Sequence, residues 1–230
     1  MMRLGLRLAA AVAARAWVAA LVGLCSCASF AAFKVPQTLP PGDQRILLGA
    51  ALDLNSIEET GYLPLPDITL GSRFGLSERS DVGARMAFLP MGRRVTTMLL
   101  ETSYRYQLVR DWRGSVNVAA EPSLGYRWLS AGGTDGHIGD LSLPLIAGLW
   151  VSDRHQIIMS PQASLQIGFS PGASPILVPA GGGSLGWLWQ RIPSQALMLE
   201  ASALWTPRGT EGTAGTALFH VGLGLLWTRR

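Results

Sequence analysis

Two sets of residues in this 230-residue chain are of types that do chemistry. The first is Glu200, Ser202 and His220. A serine hydroxyl becomes a nucleophile when a base takes its proton, and an imidazole base works best when an acid orients it. Ser202, His220 and Glu200 would therefore form a hydrolytic set if folding made them neighbours. Their spacing matches no nucleophile motif, and a single interior histidine among polar residues is the ordinary structural case, so no catalytic residue is assigned. The second set is a series of charges: Arg45, Asp53, Asp67, Arg73, Arg85, Glu101, Arg105, Glu121, Arg127, Glu200 and His220. Charges that must leave bulk water need partners, and opposite charges on neighbouring strands can supply them. Arg73, Arg85, Glu101, Arg105, Glu121, Arg127, Glu200 and His220 are expected to form one interior charge network. His137 and His155 fall in loop and turn patterns. There is no paired metal-ligand spacing. Gly181-Gly182-Gly183 precedes no helix pattern, which argues against a phosphate loop. No metal and no cofactor is expected.

The elements that would position these groups are strands. Residues 115–129 read S-V-N-V-A-A-E-P-S-L-G-Y-R-W-L. Val116, Val118, Ala120, Leu124, Tyr126 and Trp128 share one phase; Asn117, Glu121, Ser123, Gly125 and Arg127 share the other. Side chains alternate across a strand, so one face is apolar and the other small, polar or charged. The same alternation returns over residues 44–55, 66–76, 81–88, 95–108, 141–151, 156–169, 185–189, 197–205 and 219–228. That makes about ten strands of about ten residues, the length that crosses a bilayer at a tilt. Short connections at Ser77, Arg110, Ser152 and Arg191 alternate with longer ones around Glu58, Met91, Gly133, Gly172 and Thr210. Short turns on one side and long loops on the other are the habit of transmembrane barrels, and both termini then fall on the short-turn side. Tyr104, Tyr106, Trp187, Trp189 and Trp227 gather near that side, and Phe88, Tyr126, Trp128 and Trp205 near the other, as two interfacial girdles would. The expected fold is all-β: a transmembrane antiparallel β-barrel of about ten strands in an up-and-down meander.

Composition agrees. The chain is 48% hydrophobic and 15% charged, yet after the N-terminus no run reaches the roughly 20 apolar residues of a membrane helix. The net charge of +4 includes Arg3, Arg7 and Arg15; without them it is about +1, which gives no argument for nucleic acid. Interior glycines at 49, 71, 75, 83, 125, 148, 222 and 224 leave room, for water or a small ligand, or for tight curvature.

Residues 1–26 read as an export signal, with Arg3 and Arg7 before an apolar core. They run into Leu24-Cys25-Ser26-Cys27, which resembles the lipobox of bacterial lipoproteins. Cys27 fits the acylated position better than Cys25, whose small-residue site would hold Leu24. The resemblance implies cleavage before Cys27 and lipidation there, and Ala28 after it, in place of Asp, implies the outer membrane. Residues 27–42 carry Pro36, Pro40, Pro41 and Gly42 and read as a lipidated Cys with a Pro-rich tether; residues 43–230 form the barrel. The string Cys-Ala-Ser-Phe followed by T-L-P-P-G-D before a Gly-rich strand resembles the start of a group of outer-membrane β-barrel lipoproteins of uncharacterised role. The closing alternation of residues 219–227 resembles the C-terminal recognition strand of such barrels, although Thr228-Arg229-Arg230 follows the aromatic.

These readings together give a non-enzymatic outer-membrane barrel lipoprotein, anchored on the periplasmic side, serving membrane structure or small-solute passage or binding through a narrow charged lumen. Its expected partners are outer-membrane lipids and the barrel-assembly and lipoprotein-sorting machinery, and no nucleic acid. Two alternatives stand beside it: a lipid-hydrolase or protease barrel, and a lipid-anchored soluble β-sandwich that mediates interactions. No oligomeric state follows from the sequence.

Overall fold

The computed structural model describes residues 32–54, 66–90, 95–110, 115–131, 134–169, 174–206 and 216–229. The leader, Cys25, Cys27 and most of the longer connections lie outside the described residues. The strands are β1 (Gln44–Asp53), β2 (Asp67–Ser77), β3 (Ser80–Pro90), β4 (Val95–Arg110), β5 (Val116–Ala120), β6 (Ser123–Ala131), β7 (Thr134–Ser152), β8 (His155–Phe169), β9 (Ile176–Ile192), β10 (Gln195–Thr206) and β11 (Thr216–Arg229).

Each strand pairs antiparallel with its neighbours, and β1 pairs with β11, so the sheet closes on itself as a barrel of ten passes. A sandwich needs two sheets packed face to face; one closed sheet replaces that alternative. Strands β5 and β6 form a single pass, both pairing with β4 and β7. The sequence reads this stretch as unbroken, and the structure interrupts it at Glu121–Pro122 because proline has no N–H for the ladder. Two bonds carry the pairing past the break: Glu121 N–H donates to the Pro144 carbonyl at 3.0 Å, and Tyr104 N–H to the Pro122 carbonyl at 3.0 Å.

The short turns fall at Glu78–Arg79, Asp153–Arg154 and Pro193–Ser194. One expected long connection is not long: β6 and β7 stay paired as far as Ala131 and Thr134, leaving only residues 132–133 between them. The alternation continues through the region read as a loop, with Ile138 buried and His137 bonded to Tyr126 Oη at 2.6 Å on the outside.

Outside, the barrel is apolar. Leu124, Leu141, Leu185, Leu199 and Leu223 are about half exposed, as are Trp187 and Trp205 in the aromatic girdles. Water-soluble monomers rarely expose a continuous apolar surface of this kind, and a lipid-facing band with aromatic borders accounts for it. Among the described residues no helix is long and apolar enough to cross a membrane; this chain crosses with strands.

Candidate functional site

The lumen is occupied by the chain itself. The sequence reads residues 27–42 as a tether, but residues 32–39 run inside the barrel, with Phe33, Lys34, Val35 and Leu39 all buried. Prolines at 36, 40 and 41 keep this stretch out of the ladder, and its inward residues find partners on both walls. The interior glycines are the receptors. A Cβ placed on Gly49 or Gly224 would run into the Phe33 ring, one on Gly148 into Pro36, and one on Gly75 into the Pro40 backbone. The N-terminal segment therefore fills the room at these four glycines, while Gly71, Gly83 and Gly125 are met by the wall side chains Arg85, Arg73 and Asp140. Burial of the Phe33 ring alone contributes about 1.5–3 kcal/mol.

The two walls differ in kind. The wall from β7 to β11, with β1, packs an apolar cluster against the segment, beside the polar groups Arg45, Gln156, Glu200 and His220: Ile146, Ile158, Leu188, Met198, Leu226 and Ala51 join Phe33 and Val35. The wall from β2 to β6 is charged. Register sets Arg85 opposite Glu101 and Asp81 opposite Arg105. Arg85 Nη2 donates to Glu101 Oε2 at 2.9 Å. Arg73 Nε donates to Asp81 Oδ1 at 2.8 Å, and its Nη1 to Ser103 Oγ at 2.9 Å and Glu121 Oε1 at 3.1 Å. Arg105 Nε donates to Glu121 Oε2 at 2.7 Å, and its Nη1 lies 3.9 Å from Asp81 Oδ2.

Lys34 joins the segment to this wall, 3.5 Å from Glu121 and 4.0 Å from Glu101. Leu39 N–H donates to Asp81 Oδ2 at 3.2 Å, Thr38 Oγ1 to Gln107 Oε1 at 2.9 Å, and Ala32 N–H to Glu200 Oε1 at 2.9 Å. Phe33 and Val35 thus face the apolar wall while Lys34 faces the charged one.

Of the residues expected in one network, Arg73, Arg85, Glu101, Arg105 and Glu121 come together on the charged wall. Glu200 lies across the lumen from them and caps the end of the described segment. Arg127 and His220 are buried toward the long-loop end, outside this set of ion pairs. Cys27 lies outside the described residues. Asp81 and Lys34 are members that the sequence reading left out. Lys34 had a signal, since it is the only lysine in the chain. The apolar inner positions Leu47, Leu99, Ile146, Ile158, Met198 and Leu226 had one too, because they share a phase with the interior charges.

Register brings Ser202 opposite His220, and His220 opposite Asp53. The hydrolytic set is nonetheless not assembled in this arrangement. Among the described residues Ser202 Oγ is buried without a hydrogen-bond partner, and the bond of Glu200 goes to Ala32. Both Ser202 and His220 are buried, at 8% and 1% exposure, and both line a cavity of about 510 Å³.

These observations define the class: a transmembrane antiparallel β-barrel of ten passes whose lumen holds residues 32–39 of its own chain. No family model matches the chain, and no curated protein matches it. Among solved structures, the chain is similar to the outer membrane protease OmpT from Escherichia coli, at 9% identity and TM-score 0.48, over 85% of this chain and 100% of that one. It is also similar to the translocator domain of the autotransporter NalP from Neisseria meningitidis, at 10% identity and TM-score 0.44, over 82% and 89%. The N-terminal β-barrel domain of Pseudomonas aeruginosa OprF gives 10% identity and TM-score 0.39, over 83% and 100%. All three are barrels, and at this level of identity nothing about activity passes from them to this chain.

Proposed function

We propose that this chain is a non-enzymatic lipoprotein of the bacterial outer membrane, held by acylated Cys27 on the periplasmic side, whose barrel is a closed membrane body and not an open pore. The observation that carries the reading is residues 32–39 lying in the lumen, fastened to the charged wall through Lys34 and Leu39 and to the apolar wall through Phe33. Passage of a small solute requires that segment to move. Outer-membrane lipids are the partners of the outer face, and the barrel-assembly and lipoprotein-sorting machinery those of the maturing chain.

The test is current through a planar bilayer. The unmodified protein should show small or no conductance. Gly49→Leu with Gly224→Leu removes the seat of the Phe33 ring and should give discrete openings while the barrel stays folded. Large ohmic steps from the unmodified protein would reject the closed reading. For the anchor, mass spectrometry of the mature N-terminus should find a lipidated cysteine at position 27; an unmodified N-terminus beyond it would remove the lipoprotein part.

A second reading, a hydrolase, draws support from the register of Ser202 on His220. It predicts hydrolysis of phospholipid or peptide by the folded barrel, abolished by Ser202→Ala and by His220→Ala alike. Absence of hydrolysis leaves the first reading in place.

A further inference from the structure

We propose that the cavity at the short-turn mouth of the barrel binds a small monocarboxylate with an apolar body, its carboxylate seated on Arg45. The cavity measures about 220 Å³ and lies between the N-terminal segment and strands β9 to β11. Pro193 and Ser194 of the exposed β9–β10 turn form part of its rim, while Val35, Leu188 and Leu226 supply apolar wall. Arg45 reaches it from β1.

Among the described residues, Arg45 has no carboxylate partner. Its Nε donates to Thr228 Oγ1 at 3.3 Å, its Nη1 is buried with no hydrogen-bond partner, and among the described residues it makes no ion pair. Its Cα partner on β2 is another arginine, Arg73, already engaged by Asp81 and Glu121. Around the segment, Asp81, Glu101 and Glu121 are engaged by Arg73, Arg85, Arg105 and Lys34, and Glu200 by the Ala32 N–H, so none of these carboxylates is paired with Arg45. Arg45 is half-buried, and its Nη1, withdrawn from water beside a like charge, is costly to hold unless an anion offsets it; the planar fork of a guanidinium suits a carboxylate. The apolar walls call for a ligand that is more than a bare ion. The volume falls below the 300–1,000 Å³ or so of drug-sized pockets, which sets the ligand as small.

Full-length protein in lipid nanodiscs, titrated by calorimetry, tests this. Benzoate supplies charge and apolar body, benzamide the body alone, and inorganic phosphate the charge alone. One benzoate should bind per barrel, with benzamide and phosphate about tenfold weaker or worse. Arg45→Gln should weaken benzoate by about tenfold or more. Ala196→Trp fills the cavity, leaves the guanidinium in place, and should block benzoate too; it serves alone if Arg45→Gln does not fold. No benzoate binding, equal binding by either folded variant, or phosphate binding as tight as benzoate would each overturn the proposal. Binding is read without current and without the lipid anchor, so its failure leaves the closed-lumen reading standing.

Discussion

Replacing Glu121 by Gln should lower the stability of the folded barrel by about 3–5 kcal/mol, because it breaks a buried ion cluster from one side. Glu121 is 1% exposed and is the only group among the described residues that touches Arg73, Arg105 and Lys34 together. Its removal leaves Arg105 with Asp81, at 3.9 Å, as its one carboxylate among the described residues, and takes from Lys34 the nearer of its two carboxylates. The uncharged amide keeps the shape of the carboxylate, so the loss is electrostatic and not a cavity. Urea unfolding of the protein refolded in lipid vesicles measures it, with Arg79→Gln at an exposed turn as the control. A loss below about 1 kcal/mol, the scale of a surface pair, would mean that the cluster does not hold the segment in the lumen. The same variant in a planar bilayer should open more often than the parent, since one fastening of residues 32–39 is gone.

Leu223→Arg should cost about 2–4 kcal/mol, the depth-dependent penalty of a charge on the lipid face near the bilayer midplane. Leu223 lies midway along β11, opposite Ala50 on β1 and Leu199 on β10, and is half exposed. The neighbouring position Gly222 faces inward and is buried. Spin labels at Ala120, Leu165 and Leu223 should report contact with lipid, and labels at Glu121, Gln166 and Gly222 should not. Loss of that alternation, or a Leu223→Arg protein as stable as the parent, would show that this face does not meet hydrocarbon.

The architecture was legible along the chain because alternation is a local property. A period of two assigns Val116, Leu124 and Tyr126 to one face and Asn117, Glu121 and Arg127 to the other without reference to any other strand. That Arg85 and Glu101 share the inward face was legible for the same reason; their direct pairing was decided by the register of β3 on β4, across a connection around Met91 that the sequence reads as one of the longer ones. Pro122 shows the limit of a pattern read by polarity alone, since proline occupies an apolar phase while breaking the ladder.

What fills the lumen could not be read that way. Lys34 meets Glu121 across 87 positions of sequence, Ala32 meets Glu200 across 168, and Phe33 rests on Gly49 and Gly224 from opposite ends of the barrel chain. None of these contacts has a period, and a Pro-rich stretch before the first strand has the composition of a tether whether it lies in solvent or in the barrel. The sequence by itself determined which side chains point inward, and with them the fold and its lipid face. Only closure of the sheet decided what those side chains enclose. It brought β1 against β11, curved ten inner faces around one volume, and left an apolar half and a charged half that a segment with Phe33 and Val35 on one side and Lys34 on the other could satisfy together.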